Sequence, residues 1–264
     1  MTALLLESKT GPVAELRLNR PDSRNALSLA MIQAIDDAVA RLAGDPSVHV
    51  ITLCAEGPVF SAGHDLKEIA QARTANDDGR AIFETIMAAC SAMMTRIVTC
   101  PKPVIASVQG VATAAGCQLV ASCDLAVASS QAGFATPGVN IGLFCSTPMV
   151  ALSRNVSRKH SMEMLLTGEI VSADRARELG LVNRVVAPEN LVSETLELAQ
   201  QIASKSPKTL KIGKEAFYAQ AEMSLSEAYD YAGRVMVTNL MNQDSREGID
   251  AFIAKRPPKW SPLD

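Results

Sequence analysis

Short strand-like patterns alternate with helical patterns over the first three quarters of the chain. Residues 14–18 alternate apolar and polar side chains, which predicts a half-buried strand paired with residues 4–7. Residues 48–54 are apolar enough for a buried strand, and residues 103–108 predict another strand. Ser28 is placed as the N-cap of a helix whose apolar positions repeat at helical spacing. This alternation of strand, turn and helix predicts a layered α/β fold.

The pattern changes to helices after about residue 195. Three helix starts are predicted there by capping patterns, namely Ser206 before Pro207, Ser224 with Glu227, and Asp244 with Glu247. We therefore divide the chain into an α/β core of residues 1–195 and a helical C-terminal segment of residues 196–264.

One long stretch is almost without charge, because residues 103–153 contain a single charged residue, Asp124. At the overall charged fraction of 20%, about ten would be expected over this length. Prolines and glycines interrupt the stretch too often for a helix that faces lipid, so we expect no membrane span. The stretch instead predicts a deeply buried region that lines an apolar pocket.

The overall composition argues against several classes of function. The 264 residues carry a formal charge of −3 and 4% aromatic side chains, so no surface for nucleic acid is expected. The three histidines are scattered and the six cysteines form no C-x-x-C pair, so no metal site is expected. These cysteines predict reduced core residues, and no signal or Arg-rich transit peptide is visible at the start. We therefore expect a cytoplasmic protein.

Two small-residue turns are the segments best suited to chemistry. Residues 61–65 have the sequence Ser-Ala-Gly-His-Asp, and residues 114–118 have the sequence Ala-Ala-Gly-Cys-Gln at the start of a predicted helix. Small residues let the backbone approach a ligand closely, and a helix N-terminus presents free N–H groups. Two N–H groups aimed at one point would form an oxyanion hole. Spacing alone leaves open the alternative that these turns serve close packing.

Seven segments, in order along the chain, carry a resemblance to a known family. They are residues 19–27, 60–68, 101–106, 109–125, 167–169, 176–186 and 252–257. With these segments the chain resembles the crotonase (enoyl-CoA hydratase/isomerase) superfamily over nearly its whole length. The resemblance implies a crotonase-like spiral of repeated β-β-α units. It also implies that the helical C-terminal segment is an oligomerisation segment that forms a homotrimer or a dimer of trimers.

The resemblance further implies an acyl-CoA ligand whose thioester oxygen lies between the backbone N–H groups of His64 and Ala115. These N–H groups would stabilise a thioester enolate or a related oxyanion. Coenzyme A enters as part of the substrate, and no prosthetic group is expected. The family pattern places the ligand at Arg24, Ala26, Ala62, Gly63, His64, Asp65, Leu66 and Lys255. Arg24, and Lys255 of a neighbouring subunit, would contact CoA phosphates, with a solvated surface cation as the alternative for each.

The sequence departs from the family at both hydratase glutamates. The first position holds Gln118 and the second holds Gly138, and neither residue can act as a base. Ser146 stands where relatives that displace halide from an aromatic ring carry a nucleophilic aspartate. Asp124 is expected to be structural, because the family pattern places it away from the thioester.

Three further positions bear on the chemistry. His64 has a counterpart in relatives that decarboxylate malonyl-type CoA esters, and its side chain either faces the acyl group or only packs. Cys145 is either a thiolate near a helix start or, as we favour, a small core residue. Alanines replace glycines of many relatives at 114 and 115, so the oxyanion hole is expected to survive if residues 114–116 are helical.

Three functions remain open from the sequence. An enzyme of acyl-CoA and fatty acid metabolism, of lyase or isomerase type, would stabilise an enolate without a glutamate pair, as decarboxylation does. A non-catalytic acyl-CoA-binding or assembly subunit would bind the same ligands without turnover. An enoyl-CoA hydratase would have to work with Gln118 and Gly138 in place of the two acids. The missing acids favour the first of these.

Overall fold

The computed structural model describes residues 3–261 and contains two β-sheets. Ten strands lie within these residues: β1 (Leu5–Thr10), β2 (Val13–Leu18), β3 (Val50–Ala55), β4 (Val59–Ser61), β5 (Val104–Val108), β6 (Val111–Thr113), β7 (Leu125–Ser129), β8 (Gly133–Ala135), β9 (Val171–Ser172) and β10 (Arg184–Val186). The large sheet has the order β1-β2-β3-β5-β7-β10, and the small sheet has the order β4-β6-β8-β9. Neighbouring strands are parallel except in the β1–β2 and β8–β9 pairs.

Helices fill most of the remaining chain. The described residues form α1 (Leu29–Gly44), α2 (Leu66–Ala72), α3 (Arg80–Thr99), α4 (Ala115–Ser122), α5 (Pro148–Asn155), α6 (Arg158–Thr167), α7 (Ala173–Glu178), α8 (Leu191–Ala203), α9 (Pro207–Gln220), α10 (Leu225–Leu240) and α11 (Gln243–Ile253). Short 3-10 helices cover Pro21–Ser23, Pro137–Ile141 and Pro188–Asn190. The predicted α/β class is confirmed.

The chain winds through both sheets in repeated turns. In each of three turns one strand joins the large sheet, the next joins the small sheet, and a helix follows: β3, β4 and α2, then β5, β6 and α4, then β7, β8 and α5. This order confirms the predicted spiral of β-β-α units. Because β4, β6 and β8 are adjacent and parallel, the loops that follow them open on the same edge of the small sheet.

Capping patterns predicted three helix starts correctly, and the confirmed N-caps are Ser28, Ser206 and Ser224. The capping box predicted at Asp244 and Glu247 is wrong, because Asn242 caps α11. Asp244 is buried instead, and its carboxylate accepts hydrogen bonds from the Ser206 hydroxyl and from the Ser261 N–H. The Asp244 carboxylate thus binds residues distant in sequence instead of forming a capping box with Glu247.

Most of the charge-poor stretch is buried, as predicted. The strands β5, β7 and β8 and the helix α4 consist almost entirely of buried residues. The prediction is wrong for the part that follows the second 3-10 helix. Five large apolar side chains are exposed in and around that part: Ile141, Leu143, Phe144, Met149 and Val150. These residues form surface rather than core, and a group of exposed apolar side chains is typical of a contact surface.

The helix α8 covers part of the outer face of the large sheet, where Leu198 belongs to one buried cluster with Val50. The predicted boundary between residues 195 and 196 falls inside α8. The division into a core and an oligomerisation segment stays a prediction. Residues 1–2 of the predicted core and residues 262–264 of the predicted C-terminal segment lie outside the described residues.

The helix α3 is long and apolar enough to cross a membrane, and it is the one such helix among residues 3–261. One face of α3 is buried in the main core through Ile86, Cys90, Met93 and Ile97. The same helix packs along α1. A core helix of a globular protein accounts for this composition.

Asp124 ties α9 to the spiral. Its carboxylate accepts hydrogen bonds from Lys214 Nζ at 2.6 Å, Tyr218 Oη at 2.9 Å and the Val104 N–H at 2.7 Å. Burial raises the pKa of this carboxyl, whereas the ammonium and the hydrogen bonds lower it. Every one of these contacts joins structural elements, in agreement with the structural role expected of Asp124.

Candidate active site

The turn after β4 holds the first predicted N–H donor. The Leu27 N–H donates to the Gly63 carbonyl oxygen at 2.8 Å, and the Asp65 N–H donates to the Leu27 carbonyl oxygen at 3.3 Å. These two bonds form a short parallel bridge between Leu27 and His64. The N–H of His64 takes no part in the bridge, and no described residue accepts it. This N–H therefore has no intramolecular acceptor among residues 3–261.

The turn after β6 holds the second predicted donor. The Ala114 N–H donates to the Ala135 carbonyl oxygen at 2.9 Å, which ties the turn to the end of β8. The helix α4 begins at Ala115, and the Gln118 N–H donates to the Ala114 carbonyl oxygen at 3.0 Å. The first N–H groups of a helix have no partner within it, and none of residues 3–261 accepts the Ala115 N–H. The helix dipole adds partial positive charge at this position.

Two glycines bring these turns into contact. A Cβ on Gly63 would lie 3.1 Å from the backbone nitrogen of Ala115. A Cβ on Gly116 would collide with the carbonyl oxygen of Ser61 and would lie 2.8 Å from the Ser61 Cβ. Neither position has room for a side chain, so the two backbones lie directly against each other. This contact brings the N–H-bearing residues His64 and Ala115 into one neighbourhood.

Ala114 has a strained backbone, with φ 50° and ψ −119°. Glycine adopts this region readily, whereas for alanine the strain is roughly 1–3 kcal/mol. The helical conformation considered for residues 114–116 is therefore not adopted at Ala114, while Ala115 and Gly116 belong to α4. The strained residue directly precedes the Ala115 N–H and so helps to fix its direction.

Gln118 and Gly138, which the resemblance places at the two hydratase glutamate positions, have different surroundings. Gln118 is 5% exposed, and its Oε1 has no hydrogen-bond partner among residues 3–261. Gly138 lies in the second 3-10 helix, where a Cβ would be 2.7 Å from the Leu143 carbonyl oxygen and 2.9 Å from Cys145 Sγ. A glutamate could not occupy position 138 unless the backbone moved. Packing therefore excludes a glutamate at position 138 in this backbone conformation.

His64 carries a largely buried imidazole. Its Nε2 is buried and has no partner in the described part of the chain. Burial lowers the pKa of the ring below its ordinary value, because the charged form loses its hydration. The ring is therefore neutral near neutral pH, and its Nε2 can donate or accept one hydrogen bond according to the tautomer. It offers no fixed positive charge to an anion.

All six cysteines are free and buried, which confirms the prediction of core residues without a disulfide frame. Burial raises the pKa of the Cys145 thiol and raises that of Cys117 to about 12. Both residues are thus thiols near neutral pH. Cys145 is a small core residue, and the thiolate alternative for it is not supported.

Residues predicted to contact coenzyme A surround the first turn. The Ala62 N–H donates to the Arg24 carbonyl oxygen at 3.0 Å, and Ala26 lies buried two residues beyond Arg24. The Arg24 side chain is exposed, and Leu66 is 53% exposed at the start of α2. Lys255 follows α11 in the helical C-terminal segment. The assignment of these residues to a ligand stays a prediction.

Asp65 is already engaged within the chain. Its carboxylate caps α2 by accepting the N–H groups of Lys67 at 3.1 Å and Glu68 at 3.4 Å. It also pairs with Arg20 at 3.3 Å. These contacts fix Asp65 at the end of the turn that carries His64.

The sequence did not predict the side-chain environment of two residues in this region. Asn25 is buried with φ 50°, and its side-chain amide donates to the carbonyl oxygens of Glu56 and Val59, both at 2.8 Å. The left-handed tendency of asparagine could have indicated this turn. Thr136 follows β8 and is fully buried, with no partner for its Oγ1 among the described residues. No sequence signal distinguishes this threonine.

A sequence model of the family described as Enoyl-CoA hydratase/isomerase matches residues 8–262. The chain belongs to this family. It is 48% identical over 263 residues to Enoyl-CoA hydratase domain-containing protein 3, mitochondrial, of Danio rerio, covering 100% of this chain and 89% of that protein. It is 50% identical over 260 residues to the Xenopus laevis protein of the same name, covering 98% and 87%.

A solved structure shows the same fold. The crystal structure described as enoyl-CoA hydratase of Mycobacterium smegmatis matches with a TM-score of 0.93 and 50% identity, covering 98% of this chain and 99% of that chain. The fold of this enoyl-CoA hydratase/isomerase family member is thereby confirmed as that of the crotonase superfamily, which the sequence resembled.

The comparison also corrects one prediction. We expected a cytoplasmic protein, but the Danio rerio and Xenopus laevis relatives are both named mitochondrial. The cytoplasmic location is therefore contradicted. Reduced, buried cysteines do not distinguish between reducing compartments, and the absence of a visible leader does not determine the location.

Proposed function

We propose that this member of the enoyl-CoA hydratase/isomerase family binds an acyl-CoA thioester and stabilises an enolate-like oxyanion. The N–H groups of His64 and Ala115 would donate to the thioester oxygen. The reaction would be one that needs no glutamate pair, such as decarboxylation of a malonyl-type ester. Coenzyme A would enter as part of the substrate.

One observation carries this proposal. Two N–H groups without acceptors in residues 3–261 follow turns that touch each other through Gly63 and Gly116, and one of them begins α4. Such donors act where negative charge develops, and each is typically worth about 3–4 kcal/mol in the transition state. The arrangement favours a reaction whose main requirement is stabilisation of an oxyanion.

Decarboxylation suits a site without acids. The bond between the α-carbon and the carboxylate breaks, its electron pair passes into the enolate, and carbon dioxide leaves. A proton from water then restores the thioester. In the substrate the carboxylate would face Gln118 and a neutral His64, neither of which is a counter-charge. An unpaired charge in such surroundings is destabilised, and loss of carbon dioxide removes it.

A second candidate is supported by one comparison, since the Mycobacterium smegmatis relative is described as an enoyl-CoA hydratase. Hydration would need another group to move protons between water and the acyl chain. The third possibility is a protein that binds acyl-CoA without converting it. All three candidates share the thioester site and differ in turnover.

Turnover of a panel of CoA esters, followed by chromatography, separates the candidates. The proposal predicts conversion of malonyl-type esters and little hydration of crotonyl-CoA. A kcat/KM above roughly 10⁴ M⁻¹s⁻¹ for hydration of crotonyl-CoA would favour the hydratase. It would also refute the inference drawn from Gln118 and Gly138. Binding of every ester without conversion would favour a non-catalytic acyl-CoA-binding protein. If His64→Ala left the activity unchanged, the side chain of His64 would have no role in the reaction.

The C-terminal helices support a proposal about assembly. Large exposed apolar side chains on α10 and α11 are Leu225, Tyr229, Met236, Val237, Leu240, Phe252 and Ile253. Soluble monomers seldom expose so large an apolar area. We infer that other copies of the chain cover it, in a homotrimer or a dimer of trimers. Analytical ultracentrifugation should give three or six copies, and a monomeric wild type would refute the inference.

A further inference from the structure

A cavity lies where the end of α1 meets the start of α9. Its volume is about 160 Å³, and its wall includes Gly44, Lys102 and Lys211. A cavity of this size holds roughly six non-hydrogen atoms, which is enough for a phosphate group. Leu27, which bridges to His64, lies just before α1, and the 16 residues of this helix span about 24 Å. The cavity is therefore remote from the candidate active site.

Lys102 brings a buried ammonium group to this cavity. The residue is 3% exposed, and its Nζ donates to the carbonyl oxygen of Leu42 at 2.6 Å and to that of Asp45. An ammonium has three N–H groups, so one of them has no acceptor within residues 3–261.

The ammonium of Lys102 also has no counter-charge in direct contact. Lys214, the other buried lysine near α9, pairs with Asp124, whereas Lys102 forms no ion pair with any described residue. Burial lowers the pKa of Lys102, because the charged form loses its hydration. A buried cation without a counter-charge is costly, and an anion in the cavity would supply that charge.

The other charged groups around the cavity are mostly positive. Lys211 is exposed on α9, and its side chain has no hydrogen bond or ion pair within residues 3–261. Lys9 lies at the same corner, where its Nζ donates to Ser47 Oγ. Asp45 is the one acid on the wall that the described residues form. Its Oδ1 already accepts the Ser47 N–H at 2.9 Å and the Ser47 hydroxyl at 2.5 Å.

The backbone adds to this positive surrounding. The helix α9 begins at Pro207, and both Pro207 and Leu210 are on the wall, so the positive end of the helix dipole lies at the cavity. His49 also contributes to the wall, and its Nδ1–H donates to the Ala203 carbonyl oxygen at 3.2 Å. Its Nε2 becomes a further donor when the ring is protonated.

We propose that this cavity binds a phosphate group, either free phosphate or that of a small phosphate monoester. Lys102 donates to the phosphate from inside the cavity, and Lys211 closes over it from the surface. Lysine ammonium groups are typical phosphate ligands in proteins. Because the wall joins the end of α1 to the start of α9, the bound phosphate stabilises the docking of α9 on the core. The site is separate from the proposed thioester site.

The experiment titrates the full-length protein with inorganic phosphate, glycerol 3-phosphate and malonate at fixed pH and ionic strength. Phosphorus NMR gives the dissociation constants of the two phosphates, and the midpoint of thermal unfolding is followed with all three anions. The test variants are Lys211→Glu and Lys102→Met. Lys159→Glu is the matched control, since Lys159 is also an exposed helical lysine but lies in α6, which does not line the cavity. Circular dichroism checks the fold of each variant.

We expect saturable binding of a phosphate by the wild type and by Lys159→Glu, with dissociation constants within twofold of each other. Loss of a charge-assisted hydrogen bond typically weakens binding roughly tenfold or more, and we expect at least this loss in Lys211→Glu and in Lys102→Met. The midpoint of thermal unfolding should rise with phosphate in the wild type and stay constant in Lys211→Glu. Should Lys102→Met not fold, Lys211→Glu still tests the site, because Lys211 is exposed.

The phosphate that binds more tightly identifies the source of the group. Equal weakening in Lys211→Glu and Lys159→Glu refutes the site, because only the net charge of the protein then matters. Absence of saturable phosphate binding by the wild type also refutes it. A larger thermal shift with malonate than with either phosphate refutes a phosphate site in favour of a dicarboxylate one. None of these outcomes bears on the binding of acyl-CoA, so the proposed function stands or falls separately.

Discussion

The contact between the two donor turns can be tested with Gly63→Ala. Gly63 has φ 87°, and a Cβ there would lie 2.9 Å from the Cβ of Ala114, 3.0 Å from the Thr113 carbonyl oxygen and 3.1 Å from the Ala115 nitrogen. Alanine in a left-handed conformation costs about 1–2 kcal/mol, and overpacking adds about 1–3 kcal/mol. We expect the free energy of unfolding to fall by roughly 2–5 kcal/mol, from a usual total of about 5–15 kcal/mol.

Gly142→Ala is the matched control. Gly142 has φ 77°, but a Cβ there would have no heavy atom within 4 Å apart from those of its chain neighbours. This variant therefore carries only the conformational penalty of about 1–2 kcal/mol. Urea unfolding at 25 °C gives the free energy of both variants. The difference between the two free energies of unfolding measures how tightly residue 63 packs against the turn that carries Ala115.

The same pair of variants tests the proposed oxyanion hole. Hydrogen bonds to a thioester oxygen lower the stretching frequency of its carbonyl, which infrared difference spectroscopy of a bound acyl-CoA detects. We expect this shift in the wild type and in Gly142→Ala and a weaker shift in Gly63→Ala. Equal losses of stability in the two variants would refute the contact between the turns. A full carbonyl shift in Gly63→Ala would refute the dependence of the oxyanion hole on that contact.

Three further predictions concern stability. Lys214→Met leaves the carboxylate of Asp124 buried without its cation and should lower the free energy of unfolding by about 3–5 kcal/mol. Lys211→Met, at an exposed site on the same helix, should change it by less than about 0.5 kcal/mol, and similar losses in both would contradict the role of the pair. Ala114→Gly relieves backbone strain and should raise the free energy of unfolding by about 1 kcal/mol in urea titrations, whereas a decrease would show that the methyl group packs more than it strains. The folded-state pKa of His64 is lowered from 6.5, so the unfolded state binds its proton more readily and stability should fall as the pH drops from 7 through 6.5. Thermal unfolding of His64→Gln should show a shallower dependence in this range, and an equal slope would contradict a buried neutral imidazole.

Local signals in the sequence predicted much of the secondary structure. The Ser28 hydroxyl accepts the N–H of Met31 at 3.3 Å, and the Ser224–Glu227 pair forms its capping box. Both devices join residues three apart, so the sequence alone contains them. Alternation in residues 14–18 was likewise enough to predict β2. The resemblance to the family, rather than these patterns, supplied the spiral order of the strands.

Features that depend on distant residues could not be predicted. Ala114 has a backbone that its own propensity opposes, and a hydrogen bond to Ala135 helps to hold it there. Asp244 and Glu247 have the spacing of a capping box, but Ser206 and Ser261 bind the Asp244 carboxylate instead. In each case a contact across the fold outweighs a local preference.

The charge-poor stretch shows the limit of composition as a guide. Lack of charge indicated that residues 103–153 are shielded from water, and this holds for α4 and its neighbouring strands. Exposed Ile141 and Phe144 show that the same composition also occurs at the surface. Hydrophobicity indicates that a side chain avoids water, but it does not say whether its own chain or another copy provides the cover.

The two positions at which the resemblance places hydratase glutamates differ in physical character, and this difference bears on the proposed function. Gln118 keeps the shape of a glutamate and loses its charge, so a single substitution could restore the acid there. At Gly138 even a Cβ would approach the Leu143 carbonyl oxygen and Cys145 Sγ too closely, so a carboxylate would require the 3-10 helix and the following loop to move. The packing around residue 138 therefore opposes any side chain at that position. The proposed chemistry depends on the backbone N–H groups, and it therefore suits a site in which position 138 has no room for a glutamate side chain.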